Sequence, residues 1–420
     1  MAKIYFIDVT NRDGVQTARL GLSKLEKTMI NLYMDKMGVF QSEFGFPTTK
    51  HESRYLNANL KLQEMGVIKN LRLEGWIRGL ASDVEEAFRL VPGIKHLNLS
   101  SSTSQQMIKG KYQGRKTQED VIVDMTTAVD AAYAHGCETV GVNCEDGSRT
   151  DMEFLLRFAK EAKKHGATRL RYCDTLGYES PRSIYDTLYA LTKEVQMPVE
   201  LHTHGDLGMA VATSVSGAMA VVDAGQDAYI NTTINGVGER AGNADFLSCV
   251  LALTKSKGVA GKYELGNHIK LEDAWNVAQF ASYAFAVPIP INQPGVGKNC
   301  FAHASGIHAD GVLKDPENYE LYGFKELGRG EPRLVNTGRE VCAGEYSGIN
   351  GFRYVVQELK NKTDDDIELP EDRDAANKIL ELVRYANVEA HKPLVEEELE
   401  FIIKYPEIAR ELLTLTPLDV

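Results

Sequence analysis

The chain has 420 residues, 43% of them hydrophobic, with 47 basic and 59 acidic side chains and a formal charge of −12. At about 150 residues per domain this is two or three domains, or one (β/α)8 barrel of about 250 residues with additions. The acidic balance argues against nucleic-acid binding, which needs a basic excess to neutralise phosphates, but leaves room for a small anionic ligand held by a few local cations.

Cys137, Cys144, Cys173, Cys249, Cys300 and Cys342 have no two-residue spacing between any pair, and several sit in apolar runs. They are expected to be buried free thiols, which fits a reducing cytoplasm. No run approaches the length of a membrane-spanning helix, and the first ten residues read as a strand, not a signal peptide.

Short apolar, β-branched runs recur at residues 4–9, 38–44, 68–73, 94–99, 139–143, 170–173, 199–202 and 228–232. Between them lie stretches with apolar residues at helical spacing, such as 23–37 and 181–195. Eight strands alternating with helices predict an α/β fold, a (β/α)8 TIM barrel over residues 1–260, with a doubly wound sheet as the alternative. Residues 261–298, with a Pro- and Gly-rich stretch at 287–297, read as a linker. Residues 299–345 read as a lid subdomain and 346–420 as a helical subdomain, with an acidic solvated loop at 363–366.

Functional side chains of such a barrel stand at the C-terminal ends of the strands. Strand one ends in Arg12 and Asp13, which are either a surface ion pair or a functional pair. Strand two ends in Glu43 and strand six in Arg171, Cys173, Asp174 and Thr175; these are either ligand contacts or satisfied partners inside the barrel. After strand five, Glu145 is either a surface carboxylate or an acid/base group. Strand seven ends in His202-Thr-His204, and alternate residues of a strand share a face, so both imidazoles can address one ion. The glycine-rich loop at 235–243 ends in Asn243, a further oxygen ligand. Two imidazoles, a carboxylate and an amide oxygen suit Zn2+, Mn2+ or Mg2+. Those glycines fit a dinucleotide pattern only loosely, because they follow the last strand of the barrel, and are expected to let backbone approach a ligand. Beyond the barrel, His303 and His308 belong to a second metal site, a structural turn or a loop closing over the mouth.

These segments resemble the Claisen-condensing branch of the metal-dependent barrel enzymes, the isopropylmalate, homocitrate, citramalate and Re-face citrate synthases. The resemblance runs in family order through 8–16, 43–47, 174–177, 202–208, 235–243 and 296–319. Its most diagnostic piece is Gly297-Lys-Asn-Cys-Phe-Ala-His303-Ala-Ser-Gly-Ile-His308-Ala-Asp-Gly311. Carboxyltransferase relatives carry a lysine where this chain has Cys173, and short-chain lyases carry a cysteine in the loop where this chain has Glu239 to Asn243.

The resemblance implies that Asp13, His202 and His204 hold a divalent ion (Mn2+, Mg2+, Zn2+ or Co2+), with Asn243 a weaker contributor. It implies that Arg12 stabilises the developing alkoxide of a 2-oxo acid and that Thr175 hydrogen-bonds its carboxylate. His308 becomes the base for the co-substrate acetyl-CoA, assisted by Glu145, with Glu43 and His303 as further substrate contacts. In this family the lid usually comes from the partner in a domain-swapped homodimer, so His308 is expected to act in trans.

The chain behind the lid reads as helices, so no leucine-binding regulatory domain is expected. Val15, Gly141, Asn143 and Gly205 depart from common family patterns and put a standard homocitrate site in doubt. Arg171 shares strand parity with Cys173 and Thr175 and is the expected partner of a distal carboxylate, with Arg72 and Arg78 as alternatives. Oxaloacetate is therefore the leading substrate. 2-Oxoglutarate comes next, then the isopropylmalate or citramalate reaction, and a metal-dependent C–C lyase is the rival class. The loop 100–117, with Lys109, Lys111 and Arg115, either guards the mouth and meets CoA phosphates or is a plain solvated loop.

Overall fold

A computed structural model describes residues 2–303, 306–329, 343–345, 347–362, 367–392 and 394–414. Ser305, Cys342 and the acidic run 363–366 lie outside the described residues. Strands β1 (Ile4–Asp8), β2 (Gln41–Gly45), β3 (Arg72–Arg78), β4 (His96–Ser102), β5 (Thr139–Glu145), β6 (Arg169–Asp174), β7 (Val199–Thr203) and β8 (Ala228–Thr232) form one closed parallel barrel in chain order. The last strand returns beside the first, with Ile4 opposite Ala228 and Asp8 opposite Thr232.

The barrel is wrapped by helices α1 (Lys24–Met37), α2 (Ser53–Glu64), α3 (Ala81–Leu90), α4 (Gln105–Tyr112), α5 (Gln118–Ala134), α6 (Met152–Lys164), α7 (Pro181–Val195), α8 (Ala210–Asp223) and α9 (Phe246–Lys255). Their ends are written in the sequence. Ser23 and Glu26 form a capping box at the start of α1, and Gly38 ends that helix in the left-handed region at φ 82°. Leu97, Leu99, Val140, Val142, Leu170, Leu201 and Ile230 are fully buried and share the strand parity that faces the helices.

The opposite parity is unlike the aliphatic filling usual for such barrels. Glu43, Glu74, Arg169, Arg171, Glu200 and Asn231 are all buried there. Below them Tyr5 stacks on Tyr229 with ring centroids 4.9 Å apart, Phe40 packs beside both, and Arg169 lies over Tyr229. This polar layer explains one displacement from the sequence expectation. The apolar run 68–73 is mostly the turn entering β3, with Ile68 and Leu71 buried, and the strand itself carries Arg72, Glu74 and Arg78.

Residues 261–298 are more than a linker. They contain α10 (Ala274–Phe285), whose Val277, Phe280, Ala281 and Phe285 are buried at helical spacing. The Pro- and Gly-rich stretch 287–297 begins directly after that helix and supplies the irregular part of the segment. The lid segment contributes α11 (Gly306–Lys314), and the C-terminal part α12 (Ile349–Lys362), α13 (Arg373–Ala390), α14 (Glu396–Lys404) and α15 (Pro406–Leu413). Helix α15 packs on α1 and α2. Lys392 joins the layers by pairing with buried Glu26 at 2.8 Å and donating to the carbonyls of Tyr283 and Ala284.

Glu398 is buried at this junction, and burial pushes its carboxyl from 4.5 up to about 7, although the Val395 N–H and the Tyr283 hydroxyl donate to it. Between those two values the folded chain keeps a proton that the unfolded chain releases, so stability falls as pH rises through the window. The thermal midpoint should therefore fall between pH 5 and pH 8. Glu398→Gln, which cannot ionise, should remove up to about 3 kcal/mol of that loss. Glu389, also raised to about 7, keeps a residual slope. Equal pH slopes for the two proteins in thermal melts would contradict this account.

Candidate active site

The loop after β1 is pinned by its own backbone. The amides of Arg12, Asp13 and Gly14 all donate to the Val9 carbonyl, at 3.1, 2.8 and 3.2 Å, and the turn thrusts Arg12 and Asp13 over the barrel mouth. Across the mouth, β7 and the residues after it present His202 and His204 with ring centroids 4.9 Å apart and planes nearly perpendicular. One carboxylate oxygen of Asp13 and one ring nitrogen from each histidine lie within 4.8 Å of one another, and all three residues are buried.

The loop after β8 closes the third side. Asn243 pairs with His204 as an isolated bridge, and its Nδ2 donates to Asp13 Oδ2 at 2.5 Å. The approach requires glycine. A Cβ on Gly238 would stand 2.0 Å from Asn243 Nδ2 and 3.0 Å from Asp13 Oδ2, and one on Gly242 (φ 85°) would stand 2.0 Å from the Gly236 carbonyl.

Burial alone would raise the Asp13 carboxyl. The Arg12 guanidinium, first, and the Asn243 donor oppose it, and the group is held well below the usual carboxylate range. Burial, then the Arg12 charge, pushes His202 well below its ordinary value, and burial lowers His204. The cluster therefore pairs an ionised carboxylate with neutral imidazoles, the protonation states of metal ligands. Among its buried atoms, Nδ1 of both histidines, Oδ1 of Asn243 and Nη2 of Arg12 have no hydrogen-bond partner. This donor set fits a divalent ion with open positions. Asn243 enters it through Nδ2 to Asp13, which leaves its amide oxygen available.

Arg12 donates from Nη1 to Asp13 Oδ1 at 2.6 Å and from Nε to Glu43 Oε2. Glu43 is thus a partner of Arg12 and not an exposed substrate contact, since it is wholly buried. The expectation for Arg171 is also corrected. Its parity does turn it into the barrel, but one layer below the mouth. There it is wholly buried between Glu43 Oε1 (2.7 Å, an ion pair without hydrogen-bond alignment), Glu200 Oε1 (2.6 Å from Nε) and Glu74 Oε2 (3.6 Å). The alternatives are engaged elsewhere: Arg72 lies over Phe40 at the floor, and Arg78 forks onto Asp83 at 2.8 and 2.7 Å.

Thr175 Oγ1 accepts from the Asp146 amide at 2.8 Å, which leaves its own proton to donate. Glu145 Oε2 accepts from the Ser102 hydroxyl and from Lys111 Nζ at 2.6 Å. These three residues line a cavity of about 270 Å3 with Trp76, Arg78 and Ser100. The segment 100–117 is thus the end of β4 plus α4, with Lys111 turned to Glu145 and Lys116 to Asp124.

His303 Nε2 lies 3.0 Å from Glu320, and His308 is exposed and stacked on Tyr319 at 4.1 Å between centroids. Among the described residues no hydrogen bond, ion pair or ring contact joins either histidine to Arg12, Asp13, His202 or His204. The sequence reading missed Glu74, Arg169 and Glu200, and it named Lys111 without its partner Glu145. Glu200 had a signal, since a charged residue two before His202 shares its inward parity.

Residues 3–280 match the HMGL-like family, and residues 296–371 match the homocitrate synthase post-HMGL domain-like family. The chain is 68% identical over 418 residues to a citrate (Re)-synthase of Dehalococcoides mccartyi (strain CBDB1), covering 100% of this chain and 99% of that one. It is 32% identical over 406 residues to homocitrate synthase 1 of Nostoc sp. (strain PCC 7120 / SAG 25.82 / UTEX 2576), covering 96% and 98%. Among solved structures, a hydroxymethylglutaryl-CoA lyase from Pseudomonas aeruginosa superposes with a TM-score of 0.54 at 15% identity, covering 68% of this chain and 94% of that one, and so shares the fold. With its barrel and its post-barrel segment both matched, the chain belongs to the HMGL-like family, in the group that includes the citrate (Re)- and homocitrate synthases.

Proposed function

We propose that this chain joins acetyl-CoA to oxaloacetate and releases citrate and CoA, as a Re-face citrate synthase. The full-length 68% identity to a citrate (Re)-synthase carries the reading. A divalent ion held by Asp13, His202 and His204 supplies Lewis-acid polarisation of the oxo-acid carbonyl.

The chain's own residues do the rest. His308 removes a methyl proton from acetyl-CoA, with Glu145 assisting. The methyl carbon bonds to the C2 carbonyl carbon, and the carbonyl oxygen takes up the electron pair and then a proton from solvent to become the hydroxyl. The unpartnered Nη2 of Arg12 supports the assignment of that arginine to the developing charge. Thr175 donates to the C1 carboxylate. The cavity beside Glu145, with Ser100 and Lys111 on its walls, offers a hydroxyl and a cation to the distal carboxylate that Arg171 cannot reach. Water then cleaves the thioester and CoA leaves as the thiol, which makes the condensation irreversible.

The lid acts across a homodimer in this reading. His308 is exposed and far from saturated with partners, and Ile307, Leu313 and Leu321 around it are 76%, 86% and 73% exposed. A second copy covering that apolar segment would bring His308 to a neighbouring mouth.

Two experiments test these points. Thiol release from acetyl-CoA should occur with oxaloacetate and a divalent ion, and EDTA should abolish it. Preference for 2-oxoglutarate would make the chain a homocitrate synthase, and no release with oxaloacetate, 2-oxoglutarate, 2-oxoisovalerate or pyruvate would exclude condensation. His308→Ala and Asp13→Ala should each lower kcat by about 100-fold or more. Mixed subunits of the two variants should recover about a quarter of the activity, because half the dimers then hold one intact site. No recovery on mixing would place His308 in its own subunit's site.

A further inference from the structure

The polar layer of the barrel is continuous with the candidate active site. Asp13 pairs with Arg12, Arg12 with Glu43, Glu43 with Arg171, Arg171 with Glu200 and Glu74, and both of these with Arg169. Asn231 adds a 2.7 Å hydrogen bond to Glu200. Arg171 and the three glutamates have no exposed side-chain surface, so none of them reaches a substrate. Burial pushes Glu74 up to about 8, with Arg169 opposing. The charges of Arg12, Arg169 and Arg171 then face those of Asp13, Glu43 and Glu200, three against three.

Of the three arginines, Arg12 is the one that stands at the site, beside Asp13. Its fork is spread between two anions, Asp13 and Glu43, and only Nη2 is left over. Its orientation is as fixed as Glu43 is, and the second oxygen of Glu43 rests on Arg171. A guanidinium can hold Glu43 with one nitrogen and Glu200 with two others at once, which an ammonium cannot do.

We infer that Arg171 is a positioning residue for the condensation: its buried guanidinium holds Glu43 and, through Glu43, sets the orientation of Arg12 toward the reacting oxygen. This rests on the function proposed above.

A role limited to stability predicts that activity follows the thermal midpoint. A positioning role predicts that the two separate. Arg171→Lys keeps a cation but not the fork, and Arg171→Met/Glu200→Gln removes one charge of each sign and so leaves the interior balanced. Assayed below their midpoints, both should lose kcat by about 10- to 100-fold. The KM for acetyl-CoA and the calorimetric Mn2+ affinity should stay within about threefold, because Asp13, His202 and His204 are untouched.

The double variant should keep its kcat loss even where its midpoint matches that of the unaltered enzyme. Turnover within about threefold of the unaltered enzyme in either variant, or kcat recovering in step with the midpoint, overturns the inference. Thiol release by the unaltered enzyme tests the function separately. If that fails, calorimetry of oxaloacetate on the Mn2+-loaded proteins still reports on Arg12, with about tenfold weaker binding expected for both variants and unchanged binding counting against the inference.

Discussion

Arg12, Arg169 and Arg171 are enclosed in the barrel, and a guanidinium cannot discharge by losing its proton. Every other polar group in the interior has to answer them. Glu43, Glu200 and Asp13 do so as anions, and Glu74 sits against two of the cations at 2.9 and 3.6 Å. Burying such pairs costs desolvation that their attraction barely offsets, so the layer is a poor source of stability. What it does provide is geometry. Each fork admits few arrangements, and removing any one partner strands a buried charge.

The same constraint sets the chemistry at the mouth. Arg12 lies between two anions, which keeps Asp13 ionised and, with burial, keeps His202 neutral. The loop after β8 can close on this arrangement only because Gly238 has no side chain to strike Asn243 and Asp13. The acidic charge of the whole chain, −12, therefore says little about how it receives an anionic substrate. A few buried cations and the ligand cluster decide that locally.

The barrel was legible because its outward strand faces are apolar at a period that local sequence shows. β8 falls on residues 228–232 as expected, whereas β3 slipped because its inward residues are charged. His202 and His204 were legible as a pair because they are two residues apart on one strand. Arg171 shows the limit. Its parity is a local property and points it inward, but its level beside Glu43, Glu74 and Glu200 depends on the stagger of four strands. Glu43 was misplaced for the same reason, since its partners lie 31 residues upstream and 128 residues downstream in the chain. The lid histidines were recognisable as a motif, yet nothing local in the sequence sets their place relative to the mouth.

The central claim is that Asp13, His202 and His204 form the one ion site on which Arg12 is trained. It is tested most directly by anomalous diffraction from crystals soaked with Mn2+ and oxaloacetate. The account predicts a strong manganese peak enclosed by those three side chains, with the oxo-acid carbonyl oxygen beside Arg12 Nη2. A peak elsewhere, or an oxo acid bound with its carbonyl turned away from Arg12, would contradict it.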